Sequence, residues 1–171
     1  MDLSKKVRNI PDFPIKGVLF RDITTLLKDP EGFRELIDSI ARSLEGKQVD
    51  VVVGPEARGF MLGSALAYVL GAGFVCARKP GKLPYETISY EYALEYGTDR
   101  IEIHTDAIQP GQKVVVVDDL LATGGTALAT VKLVEQAGGE VVAVRFGIEL
   151  ADEFDGRGAL KGYDVDAVIR Y

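Results

Sequence analysis

Val114-Val115-Val116-Val117-Asp118-Asp119-Leu120-Leu121-Ala122-Thr123-Gly124-Gly125-Thr126 is the stretch that decides the fold. Four consecutive valines make a strand that is apolar on both faces, and such strands belong to parallel sheets covered by helices on either side. The run leads into two carboxylates at the C-terminal end of the strand, where open α/β sheets bind their ligands. A small, hydroxyl-bearing, glycine-rich loop from Ala122 to Thr126 follows, and then a helix. Gly124 and Gly125 let backbone amides approach an anion closely, Thr123 and Thr126 add hydroxyl donors, and the helix N-terminus adds partial positive charge. The pattern is a phosphate cradle beside an acid pair, and ionised carboxylates accept hydrogen bonds as a sugar diol requires. A bulky β-branched residue at Gly125 is expected to block the amides and to resist a positive φ there. The common nucleotide signatures do not compete: no G-x-x-x-x-G-K-[ST] occurs, and the Gly54 to Gly59 spacing runs into Phe60 rather than lysine.

Outward from this stretch the alternation continues. Val51 to Val53, Phe74 to Ala77, Val141 to Phe146 and Val165 to Ile169 read as strands, with helical stretches near Gly59 to Leu70 and Thr126 to Ala137. An earlier helix starts with Asp29 as N-cap and Pro30 in the first position, and buries Phe33, Leu36, Ile37, Ile40 and Leu44. Strands alternating with helices give an α/β fold, a parallel sheet flanked by helices, in one domain over 1–171. Between Lys79 and Asp106, glycine, proline and tyrosines precede the alternation Arg100-Ile101-Glu102-Ile103-His104. That segment, 79–106, reads as a mobile loop running into a strand or hairpin that projects from the sheet.

The 171 residues, 47% of them hydrophobic, suit one core-bearing domain. Twenty-six acidic and twenty basic side chains give a net charge of −6, which argues against a general nucleic-acid or anionic-membrane surface, so an anionic ligand must meet a local basic cluster. The N-terminus lacks the apolar run of a signal peptide and no segment is long enough to span a membrane, so a cytoplasmic location is expected. Cys76 is the only cysteine, which excludes an intramolecular disulfide, and its apolar setting reads as core.

The acid pair followed by Thr123-Gly124-Gly125-Thr126 resembles the donor signature of the type I phosphoribosyltransferases. Three further stretches resemble the adenine-using members in particular: Pro11-Asp12-Phe13-Pro14 through Gly17-Val18-Leu19-Phe20-Arg21-Asp22, then Gly54-Pro55-Glu56-Ala57-Arg58-Gly59-Phe60, and then Arg78-Lys79-Pro80-Gly81-Lys82-Leu83-Pro84 with Ala93-Leu94-Glu95-Tyr96-Gly97. The resemblance covers nearly the whole chain. It implies transfer of the 5-phosphoribosyl group from phosphoribosyl pyrophosphate to adenine, giving AMP and diphosphate in purine salvage, with Mg²⁺ as cofactor and a homodimer as the assembly.

By the same resemblance the loop Ala122, Thr123, Gly124, Gly125, Thr126 holds the 5-phosphate, and Asp118 and Asp119 serve the ribose hydroxyls and the Mg²⁺ surroundings. Mg²⁺ itself sits mainly on substrate oxygens and water. Arg58, Arg78, Lys79 and Lys82 are expected at the diphosphate, assisted by Tyr96. Residues 79–106 would close over the site and exclude water. Leu19, Phe20 and Arg21, within an N-terminal hood of residues 1–28, would bind adenine by stacking and backbone hydrogen bonds. Glu95 is the catalytic carboxylate, taking the N7 proton as N9 attacks. The Glu56–Ala57 peptide is expected to be cis. Tyr85 departs from the basic residue common after the Leu-Pro pair, and no function is read for Ser89 to Tyr92 or for His104. Two alternatives remain open: a phosphoribosyltransferase for hypoxanthine, guanine or xanthine, and a non-catalytic donor-sensing regulator. Against the regulator, the residues before Asp29 carry no basic recognition-helix pattern.

Overall fold

The structure is a computed structural model that describes residues 1–93 and 97–171. In chain order it contains a 3₁₀ turn (Leu3–Lys6), β1 (Arg8–Pro11), β2 (Leu19–Asp22), α1 (Thr24–Leu27), α2 (Pro30–Arg42), β3 (Val51–Pro55), α3 (Arg58–Leu70) and β4 (Gly73–Ala77). There follow β5 (Thr87–Ala93), β6 (Thr98–His104), β7 (Lys113–Leu121), α4 (Gly125–Gln136), β8 (Glu140–Glu149), α5 (Gly156–Ala159) and β9 (Val165–Arg170).

Five strands form a parallel sheet in the order β4-β3-β7-β8-β9. The chain winds outward through β3 and β4, returns to the centre as β7, and then winds the other way through β8 and β9. The reversal between β3 and β7 is a switch point, which leaves a crevice beyond the C-terminal strand ends.

The valine run shows why both faces are covered. Val115 and Val117 pack with Val52 against Leu36, Ile37 and Ile40 of α2 and Leu62 and Leu66 of α3. Val114 and Val116 face the other way, onto Val131, Leu133 and Val134 of α4 and Ile101 and Ile103 of β6. All four valines are fully buried, each contributing about 1.5–3 kcal/mol of transfer free energy. Asp29 caps α2 as its sequence foretells, accepting the Glu31 N–H at 3.2 Å ahead of Pro30.

One reading needs correction. The central strand does not stop at Val117: it runs on through the acid pair to Leu121, because β8 continues to pair with it as far as Leu121 opposite Glu149. Its other neighbour, β3, last pairs at Val53 opposite Val116, so Asp118 to Leu121 extend past β3 into the crevice. The β5–β6 hairpin forms its own two-stranded sheet outside the five-stranded one and packs back on the body. Ile101 and Ile103 are buried, and Ile88, Tyr90 and Tyr92 pack on the same cluster against α4. Its alternation buries one face. Cys76 is half-buried on the edge strand β4, and burial pushes its thiol up. Among the described residues no helix is long and apolar enough to cross a membrane.

Candidate active site

The loop after β7 is shaped by its glycines and by what stands behind it. Gly124 takes the left-handed conformation at φ +83 as the N-cap of α4, and a Cβ there would come within 2.7 Å of the Gly156 carbonyl and 3.1 Å of Ala159 Cβ. The short helix α5 therefore lies directly against the loop. Gly125 does not have positive φ, contrary to the sequence expectation: a Cβ there meets only Tyr92 Cδ2 at 3.8 Å and Thr123 Oγ1 at 3.9 Å. Gly124 makes the turn and Gly125 keeps the mouth open. The first intrahelical bond runs from Leu128 N–H to Gly124 C=O at 2.9 Å, so the amides of Gly125, Thr126 and Ala127 precede the helical ladder, the arrangement that suits an anion. A cleft of about 110 Å³ is lined by this loop together with Asp118 and Leu120.

Asp118 accepts the Asp119 N–H at 2.8 Å, and its Oδ1 lies 3.0 Å from where a Cβ on Gly59 would stand. Burial first, and then the neighbouring Asp119 charge, push the Asp118 carboxyl well above the ordinary carboxylate range. Asp119 is itself buried and forms an ion pair with Arg58, the first residue of α3. Those partners lie 61 positions apart in sequence and meet because β3 and β7 are neighbours at the switch point. The Glu56–Ala57 peptide immediately before α3 is cis, as the resemblance implies.

Phe20 brings in the N-terminal segment. Its ring packs edge-on against Phe13 at 5.2 Å between centroids, and the Arg58 guanidinium carbon lies 5.8 Å from its centre. Leu19, Phe20 and Arg21 all belong to β2, whose second edge carries no strand partner among the described residues, leaving backbone N–H and C=O groups for a planar ligand's edge. The Arg21 side chain points elsewhere: its guanidinium stacks 3.9 Å from the Tyr171 ring centre and donates to Asn9. Only its backbone remains for the role expected of it.

The basic loop is held by two acids that the sequence reading did not single out for a role. Glu56, whose side chain is 14% exposed, accepts the Lys79 N–H at 2.6 Å, pairs with Lys82 and lies 3.4 Å from Arg78 Nε. Burial opposes ionisation of Glu56, but Lys82, the Lys79 amide and Arg78 outweigh it, so the carboxyl sits below its usual value. Lys79 Nζ pairs with Asp99 on β6. Arg58, Arg78, Lys79 and Lys82 thus all face carboxylates in this state of the protein. Glu56 sits inside a motif where its charge is a visible signal; Asp99 is visible only once the hairpin register is known. Glu95 and Tyr96 lie outside the described residues. His104 lies at the end of β6, where its Nε2 accepts the Tyr85 N–H at 3.4 Å, apart from this cluster.

A concavity of about 920 Å³ lies elsewhere, an apolar groove between α2 and α3 lined by Phe33, Ile37, Met61, Ala65 and Val69 among others. Its charged lining residues are Arg34 and Asp38.

A sequence profile of the phosphoribosyl transferase domain matches residues 22–151. An adenine phosphoribosyltransferase from Alkaliphilus metalliredigens is 61% identical over 171 residues, all of each chain. The crystal structure of adenine phosphoribosyltransferase from Thermoanaerobacter pseudethanolicus superposes with a TM-score of 0.96 at 55% identity, covering 99% of this chain and 98% of that one. That from Saccharomyces cerevisiae, in complex with adenine and an imino-altritol bisphosphate, gives 0.92 at 40% identity over 97% and 96% of the two chains.

Proposed function

Since this chain belongs to the phosphoribosyltransferase family, we infer that it is an adenine phosphoribosyltransferase of purine salvage, which converts adenine and phosphoribosyl pyrophosphate to AMP and diphosphate. The observation that carries the reading is the meeting, in one crevice, of three segments remote in sequence: the acid pair and glycine loop after β7, Arg58 against Asp119, and the Phe20 ring beside Arg58.

In this reading the Ala122 to Thr126 loop receives the 5-phosphate on its amides and hydroxyls, and Asp118 and Asp119 accept from the ribose hydroxyls. Negative charge beside the ribose favours the cationic character that develops at its C1 as diphosphate leaves. Arg58, Arg78 and Lys82 exchange their present carboxylate partners for the diphosphate, and Lys79 meets it from beside Asp99. Phe20 stacks on adenine. The N9 lone pair forms the bond to C1, the C1–O bond breaks with its electrons going to diphosphate, and the N7 proton passes to a base. By resemblance that base is Glu95.

Phosphoribosyltransferases generally use Mg²⁺ with the donor, and the residues present fit that use. Among the described residues no cluster of three or more metal-ligating side chains occurs, and Asp119 is already engaged by Arg58. The protein thus offers two carboxylates rather than a closed cage, as suits an ion that keeps substrate oxygens and water around it. Asp118 and Asp119 would hold the ion through its waters, and it would supply charge neutralisation to the departing diphosphate.

A homodimer and a cytosolic setting belong to the same proposal. The apolar groove between α2 and α3 suits a second copy. Tyr68 and Val69 are exposed on its rim, and Arg34 and Asp38, one helical turn apart, offer opposite charges to a self-complementary contact.

The reading is tested by supplying the donor and Mg²⁺ with each purine base separately and following nucleotide formation. Adenine should be converted much faster than guanine or hypoxanthine. Equal or faster turnover of a 6-oxopurine would overturn the assignment of the base.

A further inference from the structure

The Ser89 to Tyr92 stretch has no part in the chemistry above, yet its last residue lies at the centre of a polar chain. On the hairpin Tyr92 stands directly opposite Asp99, and its hydroxyl donates to the Asp99 carboxylate at 3.3 Å. Lys79 arrives from the basic loop, pairs with Asp99 and donates to the Tyr92 hydroxyl at 3.4 Å. On its other side the same hydroxyl lies 3.5 Å from Thr126 Oγ1 at the start of α4. A phenol has one proton and two lone pairs, so giving the proton to Asp99 leaves it able to accept from both Lys79 and Thr126. Lys79, Asp99, Tyr92 and Thr126 form a continuous chain from the basic loop to the glycine loop.

We propose that Asp99, acting with Tyr92, is a positioning residue that holds the Lys79 ammonium at the mouth of the Ala122 to Thr126 loop. A donor that occupies both phosphate subsites then meets a cation already aimed. The inference rests on the reading of Lys79 as a diphosphate contact. Lysine's four-carbon stem is flexible, and immobilising it only when ligand arrives costs affinity; a chain that restrains it beforehand lowers that cost. Neither partner is fully buried, with side chains 41% and 28% exposed, so the effect is of surface-pair size.

The test varies the donor at saturating adenine and Mg²⁺ in the parent, Asp99→Asn, Lys79→Met and the double variant, with urea denaturation reporting folding. Asp99→Asn should raise the donor KM about two- to fivefold, with kcat within about twofold of the parent. Lys79→Met should raise it further. Added to Lys79→Met, the Asp99 change should have no additional effect, and Asp99→Glu should restore part of the loss. Tyr92→Phe removes one hydroxyl from the same chain, so its effect should also vanish in the Lys79→Met background; it carries the test should Asp99→Asn fail to fold. Equal KM effects of Asp99→Asn, or of Tyr92→Phe, in the presence and absence of Lys79 would sink the proposal and leave the function standing. An unchanged KM in Lys79→Met removes Lys79 from donor binding, and the proposal with it.

Discussion

Two adjacent glycines in the loop after β7 should respond to the same substitution in opposite ways. Gly124→Ala places a Cβ on a residue at φ +83, which costs an L-residue about 1–2 kcal/mol. The new methyl also stands 2.7 Å from the Gly156 carbonyl oxygen. That carbonyl has little freedom to retreat, because Gly156 is itself packed tightly on Ala122 and Leu121. Overpacking of this kind adds about 1–3 kcal/mol, so the expected destabilisation is about 2–5 kcal/mol, a large part of a typical domain's stability. Gly125→Ala meets only ordinary contacts at 3.8 and 3.9 Å, and removing glycine's unfolded-state entropy makes it neutral or about 0.4–1 kcal/mol stabilising. Its cost falls on the ligand. In the proposed function a methyl at the mouth of the loop blocks an amide that receives the 5-phosphate, and one charged hydrogen bond is worth about 1.5–3 kcal/mol, or about ten- to 150-fold in affinity. Urea denaturation of each variant, together with calorimetric titration by ribose 5-phosphate, separates the two effects. The reasoning fails if Gly124→Ala is as stable as the parent, or if Gly125→Ala binds ribose 5-phosphate unchanged.

Other consequences are simpler to read. Asp22 accepts from Thr24 and Arg8, with Thr24 the larger influence, and its carboxyl is lowered to about 2. A folded-state pKa below the unfolded one gives stability that is present above about pH 4 and lost as pH falls toward 2. Discounted for the half-exposed Arg8, this is about 1–2 kcal/mol, and Asp22→Asn should remove it, flattening urea midpoints across that range; an unchanged pH profile counts against it. Glu95→Gln should slow single-turnover AMP formation by roughly 10²-fold with donor binding little changed, and normal turnover would remove Glu95 from catalysis. Phe20→Ala should weaken adenine by about five- to 150-fold, the range of base–aromatic stacking, while ribose 5-phosphate binds as before; unchanged adenine binding would move the base elsewhere.

What was legible in the sequence followed from local rules. The valine run forced a strand covered on both faces, Asp29-Pro30 started a helix, and Thr123-Gly124-Gly125-Thr126 after two acids marked a loop at a strand end. What was not legible depends on strand order and register. Nothing local says that Arg58 will find Asp119, that Asp99 will stand beside Tyr92, or that α5 will press on Gly124 so that it, and not Gly125, takes the left-handed turn. The acidic balance of the chain illustrates the limit. A net charge of −6 argued that an anion needs a local basic cluster, and the cluster exists, but its four cations are paired with Asp119, Glu56 and Asp99. In the function proposed here, donor binding is therefore an exchange of partners rather than a capture by free charge. Arg58, Arg78 and Lys82 each surrender a carboxylate as they gain a phosphate oxygen, while Lys79 stays beside Asp99, so for those three only the difference between the two pairings appears as affinity. A site built this way can hold a polyanion during reaction and still release diphosphate, because the carboxylates stand ready to take the cations back.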